Sequence, residues 1–314
     1  MKIDAALAAA RLAAANDIAL ICHRDPDGDT YGSAMALFDA LTGLGKRVRV
    51  ECVSPFPANM PYLRREMPTF SPTFTVTIDT AAVTMLGDGE IRKRPIDLCI
   101  DHHPGNPLYA KETLLVNYAA TGEAILEVIR ALGVTVTPFC ATALYTALIS
   151  DTGSFRFSNT SAQTLRYAAD LLELGADRDT VRVCLFESRS RGEVRLESAA
   201  LSSMHYWADG RIASVTIPLS LLEETGVDEA ELEGIASKPL QISGVDIGLT
   251  LKERNDGSVR ISVRTSAAAN AAAICETFLG GGHLRAAGCR MWCSMEEAER
   301  RLVEVSMATL PVAR

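Results

Sequence analysis

Residues 17–45 constrain the fold more than any other stretch of this chain. They read DIALIC, then HRDPDGD, then TYGSAMALFDALTGLG. The first piece is a short apolar run of the length of a buried strand. The last carries apolar residues at helical spacing and runs into glycine, a helix stop. Between them sit three aspartates, Asp25, Asp27 and Asp29, preceded by His23. A strand, a tight turn and a helix in that order open a parallel β-α-β arrangement. The turn then lies at the carboxyl end of the strand, where open α/β sheets bind their ligands.

Asp, Pro and Gly are ordinary turn residues, so a solvated turn is one reading. A calcium loop is another, and it fails on spacing. Counted from Asp25, position 6 is Thr30 rather than Gly, and position 12 is Ala36 rather than Glu. Carboxylates this close repel one another unless something positive sits among them.

The alternation continues. Strands are expected over 46–53, 75–79, 95–103 and 114–117, and helices over about 121–132, 138–149 and 161–174. The stretch 178–207 is charged and helical in pattern, as suits a connecting helix. The texture then changes: 211–218, 244–253 and 258–266 read as strands, with the turn signal Asn255-Asp256-Gly257 between the last two. A helix over 267–278 leads into LGGGHLRAAG, 279–288. The expected architecture is α/β. A mostly parallel-sheet domain over 1–190 is joined by a linker helix, 191–208, to a smaller α/β domain, 209–314.

Composition excludes several classes. With 314 residues, 48% hydrophobic and 22% charged, the chain is globular and long enough for two domains. No apolar run approaches the roughly 20 residues of a membrane span. The Ala-rich start is interrupted by Asp4, Arg11 and Asp17 and reads as an amphipathic helix rather than a signal segment. Eight cysteines without a C-x-x-C pair read as reduced thiols of a cytoplasmic protein. A zinc pair at Cys289 and Cys293 is the less favoured reading. A net charge of −8 argues against a broad nucleic-acid face, while leaving room for a small anion held by local cations.

Polar residues recur where the strands end. Asp79 closes one strand, Asp101, His102 and His103 another, and Asp151 lies in an interruption between helices. An aspartate there can simply cap a helix, and a lone histidine is more often structural. Together with His23, Asp27 and Asp29 they are too many for one metal. They suit two ions about 3.5–4 Å apart with one carboxylate shared, a site that activates water and clamps a phosphoryl group. Mixed oxygen and nitrogen ligation favours Mn²⁺, with Mg²⁺, Co²⁺ and Fe²⁺ as competitors.

HRDPDGDTYGS, TIDTA, DHH and SDTGSFRF, in that order, resemble the four motifs of the DHH phosphoesterases, and GGGH…AAG resembles their companion DHHA1 domain. The resemblance spans nearly the whole chain and is similar in domain content to the stand-alone oligoribonuclease and 3′-phosphoadenosine 5′-phosphate (PAP) phosphatase branch. It implies a metal-dependent hydrolase of short RNA oligonucleotides, linear dinucleotides or PAP. By position it implies that His23 and Asp27 hold one ion, Asp29, His102 and Asp151 the other, and Asp79 both. It further implies that His103 is the general acid or a phosphate contact and that Asp101 orients the site. Asp25 matches no ligand and is read as a turn residue. In the second domain a glycine-rich loop, Gly280, Gly281 and Gly282, and its His283 would hold the substrate, with Arg264 at the nucleotide end. Leu279 departs from the pattern, standing where many relatives have a further glycine. The branch leaves room for a homodimer. Competing readings are a family II inorganic pyrophosphatase, against which the GGGH stretch speaks, a long-strand exonuclease, for which the chain is too short and acidic, and a non-catalytic nucleotide sensor.

Overall fold

A computed structural model of the chain describes residues 1–227 and 234–311. By internal contacts it divides into two compact units, Met1–Ser188 and Arg189–Arg314.

The first unit opens with helix α1 (Ala5–Ala14), capped by Asp4. Strands β1 (Asp17–Ile21), β2 (Arg47–Glu51), β3 (Phe74–Ile78), β4 (Leu98–Asp101) and β5 (Glu112–Leu115) form an all-parallel sheet in the order β2-β1-β3-β4-β5. Ile18 to Ile21 are fully buried, as expected of a strand covered on both faces. Helix α2 (Gly28–Gly43) leaves the acidic turn after β1. Helices α3 (Thr121–Ala131), α4 (Pro138–Asp151), α5 (Ala162–Glu173) and α6 (Arg178–Phe186) follow the sheet.

Helix α4 is buried almost all round, from Cys140 to Ile149, and α2 and α3 pack against it. Two glycines make the approach close. A Cβ on Gly32 would lie 2.5 Å from the backbone oxygen of Ala143, and one on Gly122 would lie 2.6 Å from the Ala147 methyl. The start of α2, the start of α3 and the end of α4 are thereby drawn to one place beside the sheet's carboxyl edge.

In the second unit, helix α7 (Arg191–Ser202) precedes β6 (His205–Trp207), β7 (Ile212–Ile217), helix α8 (Leu219–Thr225), β8 (Ile247–Glu253) and β9 (Val259–Thr265). Helix α9 (Ala271–Glu276), β10 (Gly281–Gly282), β11 (Ala286–Met291) and helix α10 (Met295–Thr309) complete it. The sheet is mixed, in the order β10-β11-β9-β8-β7-β6, with only β7 and β8 parallel. Gly257, at φ 78°, makes the turn between β8 and β9.

Two local expectations are corrected. The 178–207 stretch is not one helix. It breaks between Phe186 and Arg191, where Ser190 starts α7 with a reciprocal capping box with Glu193, and it ends in strand β6. The glycine-rich stretch is not an open loop either: Gly281 and Gly282 pair with Gly288 and Ala287 as an edge hairpin. Among the described residues no helix is long and apolar enough to cross a membrane.

Candidate metal centre

Each side chain of the sequence-derived set is delivered by the end of an element. His23 follows β1. Asp27 caps α2, its Oδ1 accepting from the Thr30 N–H at 3.0 Å, and Asp29 lies in the first turn of that helix. Asp79 follows β3 in a left-handed conformation, φ 52°, which Asp tolerates better than most residues. Asp101 ends β4, with His102 and His103 immediately after it. Asp151 is the last residue of α4, not a loop residue.

They converge. His23, Asp27 and Asp79 form one group whose ligand atoms all lie within 4.8 Å of one another, and Asp29, His102 and Asp151 form another. Asp79 adjoins both: its Oδ2 is 3.8 Å from His23 Nε2, and its Oδ1 is 3.5 Å from His102 Nε2. His102 Nε2 also lies 3.5 Å from Asp151 Oδ2 and 3.9 Å from Asp29 Oδ2. A third group joins Asp79 and His102 to His103. Asp25 stands apart, exposed beside Arg24. Among the described residues no cysteine joins a cluster of three or more metal-capable side chains.

The electrostatics are those of carboxylates crowded together. Burial, then the charges of Asp79, Asp151 and Asp27, push the Asp29 carboxyl well above the usual range. Asp27 is raised by burial and Asp79. Burial raises Asp151 to about 7, with His102 opposing and Asp79 and Asp27 adding to the rise. A divalent cation among these groups would reverse those costs, which is the physical sense in which the donor set fits a metal.

Groups not anticipated from sequence fix these side chains. Asp29 is fully buried and accepts from the Thr121 N–H at 2.7 Å, the Gly122 N–H at 3.0 Å and Ser33 Oγ at 3.0 Å. The start of α3 therefore points its unpaired N–H groups at an anion. His102 Nδ1 lies 3.1 Å from the Tyr118 carbonyl oxygen, and a proton there leaves the Nε2 lone pair facing the carboxylates. Asp101 Oδ1 lies 2.7 Å from His103 Nδ1, and Asp101 Oδ2 accepts from Asn106 Nδ2 at 2.6 Å. Burial alone would lower His103, but the hydrogen bond to Asp101 and the charge of Asp79 outweigh it and raise the ring to about 9. Burial alone would raise Asp101, but hydrogen bonds from His103 and Asn106 leave it lowered.

The profile of the DHH family, N-terminal domain, matches residues 17–175, and that of the DHHA1 domain matches 210–305. The chain belongs to the DHH family. This DHH protein is 29% identical to the bifunctional oligoribonuclease and PAP phosphatase NrnA of Thermus thermophilus, over 91% of its own length and 88% of the relative's. It is 26% identical to the protein of the same name in Bacillus subtilis, over 91% and 93%. An exopolyphosphatase-related protein from Bacteroides fragilis shares its fold, with a TM-score of 0.88 at 23% identity and 97% of both chains covered.

In the DHHA1 domain of this DHH protein, Arg264 of β9 pairs with Ala286, and Gly281 pairs with Gly288. Register places Arg264, Gly288 and Gly281 on one face of the sheet. Gly280 and Gly282 have an internal reason to be glycine: a Cβ there would lie 2.3 Å from the Gly288 oxygen or 2.6 Å from the Ala286 oxygen. Gly281 has open space at that position. The exposed His283 begins the hairpin turn, its N–H donating to the Ala286 oxygen at 2.8 Å.

Proposed function

We propose that this protein is a metal-dependent phosphoesterase that hydrolyses short oligoribonucleotides, PAP, or both. The observation that carries the reading is the meeting of two His–Asp groups on the single carboxylate of Asp79. The names of the two curated relatives, matched over about nine-tenths of each chain, supply the substrate class.

His23 and Asp27 would hold one divalent ion, and Asp29, His102 and Asp151 a second, with Asp79 shared. Mn²⁺ suits this mixture of carboxylate and imidazole best. Bound ions would supply the positive charge that activates water and offsets the phosphoryl oxygens. The protein's own residues do the rest. Asp29 is fixed from the start of α3, and His102 is turned by the Tyr118 carbonyl, so the ligands are set before substrate arrives. His103, oriented by Asp101 through Nδ1, gives a proton to the leaving oxygen. In the DHHA1 domain, Arg264 and the open backbone at Gly281 hold the nucleotide end, with His283 adding a donor and Gly280 and Gly282 shaping the hairpin. The domains are read as a catalytic unit up to about 190 and a substrate-binding unit from about 209.

The test is hydrolysis of a panel: di- to pentaribonucleotides, PAP, a cyclic dinucleotide, a long RNA and inorganic pyrophosphate, each with Mn²⁺. Turnover of the short RNAs or PAP above the rest is expected, and abolished by Asp79→Ala. Preference for pyrophosphate, or no turnover of any of them, would overturn the reading.

A further inference from the structure

Each carboxylate oxygen of Asp79 has its own hydroxyl donor. Thr30 Oγ1 donates to Oδ2 at 2.7 Å, and Thr121 Oγ1 donates to Oδ1 at 2.9 Å. The two oxygens serve different sides of the centre, Oδ2 facing His23 and Oδ1 facing His102. The backbone repeats the division. The Thr30 N–H donates to Asp27, on the His23 side, and the Thr121 N–H donates to Asp29, on the His102 side. Both threonines are fully buried, one in the first turn of α2 and one at the first residue of α3.

We propose that Thr30 and Thr121 are positioning residues, each setting the affinity of one ion, an inference that rests on the two-ion reading above. A hydroxyl that occupies one lone pair of a carboxylate oxygen fixes the direction of the other. Asp79 needs such fixing because its backbone is left-handed and its side chain must present two oxygens to two places at once. Two donors, one per oxygen, let the two sites be tuned separately through a shared ligand.

The test uses Thr30→Val and Thr121→Val, which keep the branched shape and the backbone N–H and remove only the hydroxyl. Chelator-stripped proteins are titrated with Mn²⁺, and free ion is followed by electron paramagnetic resonance. Each valine variant should weaken one of the two binding steps by about 10–100-fold, the range for lost supporting hydrogen bonds. Thr30→Ser and Thr121→Ser should restore it. In a His23→Ala background, Thr121→Val should still weaken the remaining ion, and Thr30→Val should not. If a valine variant does not fold, the corresponding alanine variant replaces it with the same expectation. Valine variants that titrate like wild type, or that both weaken the same step, would overturn the proposal. If wild type bound no more Mn²⁺ than Asp79→Ala, the two-ion reading itself would fall, a result distinct from normal binding in Thr121→Val.

Discussion

His103 and the neighbouring His102 engage different partners. His102 turns Nε2 toward Asp79, Asp29 and Asp151, whereas His103 engages Asp101 through Nδ1. His103→Ala should therefore lower turnover by about 10²–10⁴-fold, the worth of general acid catalysis, and leave bound metal near normal. Elemental analysis beside kinetics checks it, and parallel loss of metal and activity would contradict it. The crowded carboxylates also make a pH prediction. Asp151, raised to about 7, and Asp29, raised further than usual, destabilise the metal-free fold once they ionise, a cost absent in acid and complete above their folded values. His103, raised to about 9, stabilises the fold below its unfolded value and loses that contribution as pH rises through about 9. Both signs agree: the metal-free protein should melt higher near about pH 6 than near about pH 8.5. Saturating Mn²⁺ should reverse the order, because its ligands must be deprotonated. Differential scanning fluorimetry in chelator and in Mn²⁺ reads both, and a metal-free melting temperature that rises over this range would sink the idea.

At the scale of elements, the centre depends on three helix ends meeting. Gly32→Ala would set a methyl 2.5 Å from the Ala143 carbonyl oxygen of α4, a backbone atom that cannot step aside cheaply. The cost should be about 1–3 kcal/mol. The same change at Gly43, in α2 with nothing within 4 Å, should be neutral or slightly stabilising. Thermal melts of the pair check this, and equal melting temperatures would show that the helices do not pack as described. The strand ends were legible in sequence because a short run of apolar and β-branched residues that stops at Asp is a strong local signal, as in Phe74–Ile78 before Asp79 and Leu98–Ile100 before Asp101. The donors around them were not. The Thr121 and Gly122 N–H groups are backbone, and the Tyr118 carbonyl carries no residue-type signal at all. The β10–β11 hairpin escaped for a related reason. Gly281, Gly282 and Ala286–Gly288 lack the β-branched and aromatic residues that mark strands, and their pairing is set by close backbone approach. The break between α6 and α7 was hidden by charge patterning that suits either one helix or two.

At the scale of the whole molecule, the proposed function carries a prediction about substrate length. If a substrate is held by its end through Arg264, as proposed, further nucleotides should add little affinity on a chain of net charge −8. Arg264→Ala should raise KM for di- and trinucleotides while changing kcat little, and should erode the preference for short over long RNA. Steady-state kinetics across a length series checks it, and turnover that rises steadily with length in the wild type would contradict it. The central claim, that this fold exists to present two ions to a short nucleotide substrate, meets its most direct test in one experiment. Chelator-stripped protein is mixed with a diribonucleotide, and the rate is followed as Mn²⁺ is returned. The expected result is no hydrolysis at the outset and a rate that appears with rising Mn²⁺ along a curve steeper than single-ion saturation. Hydrolysis that persists in chelator, or that stays absent at every Mn²⁺ concentration, would contradict it.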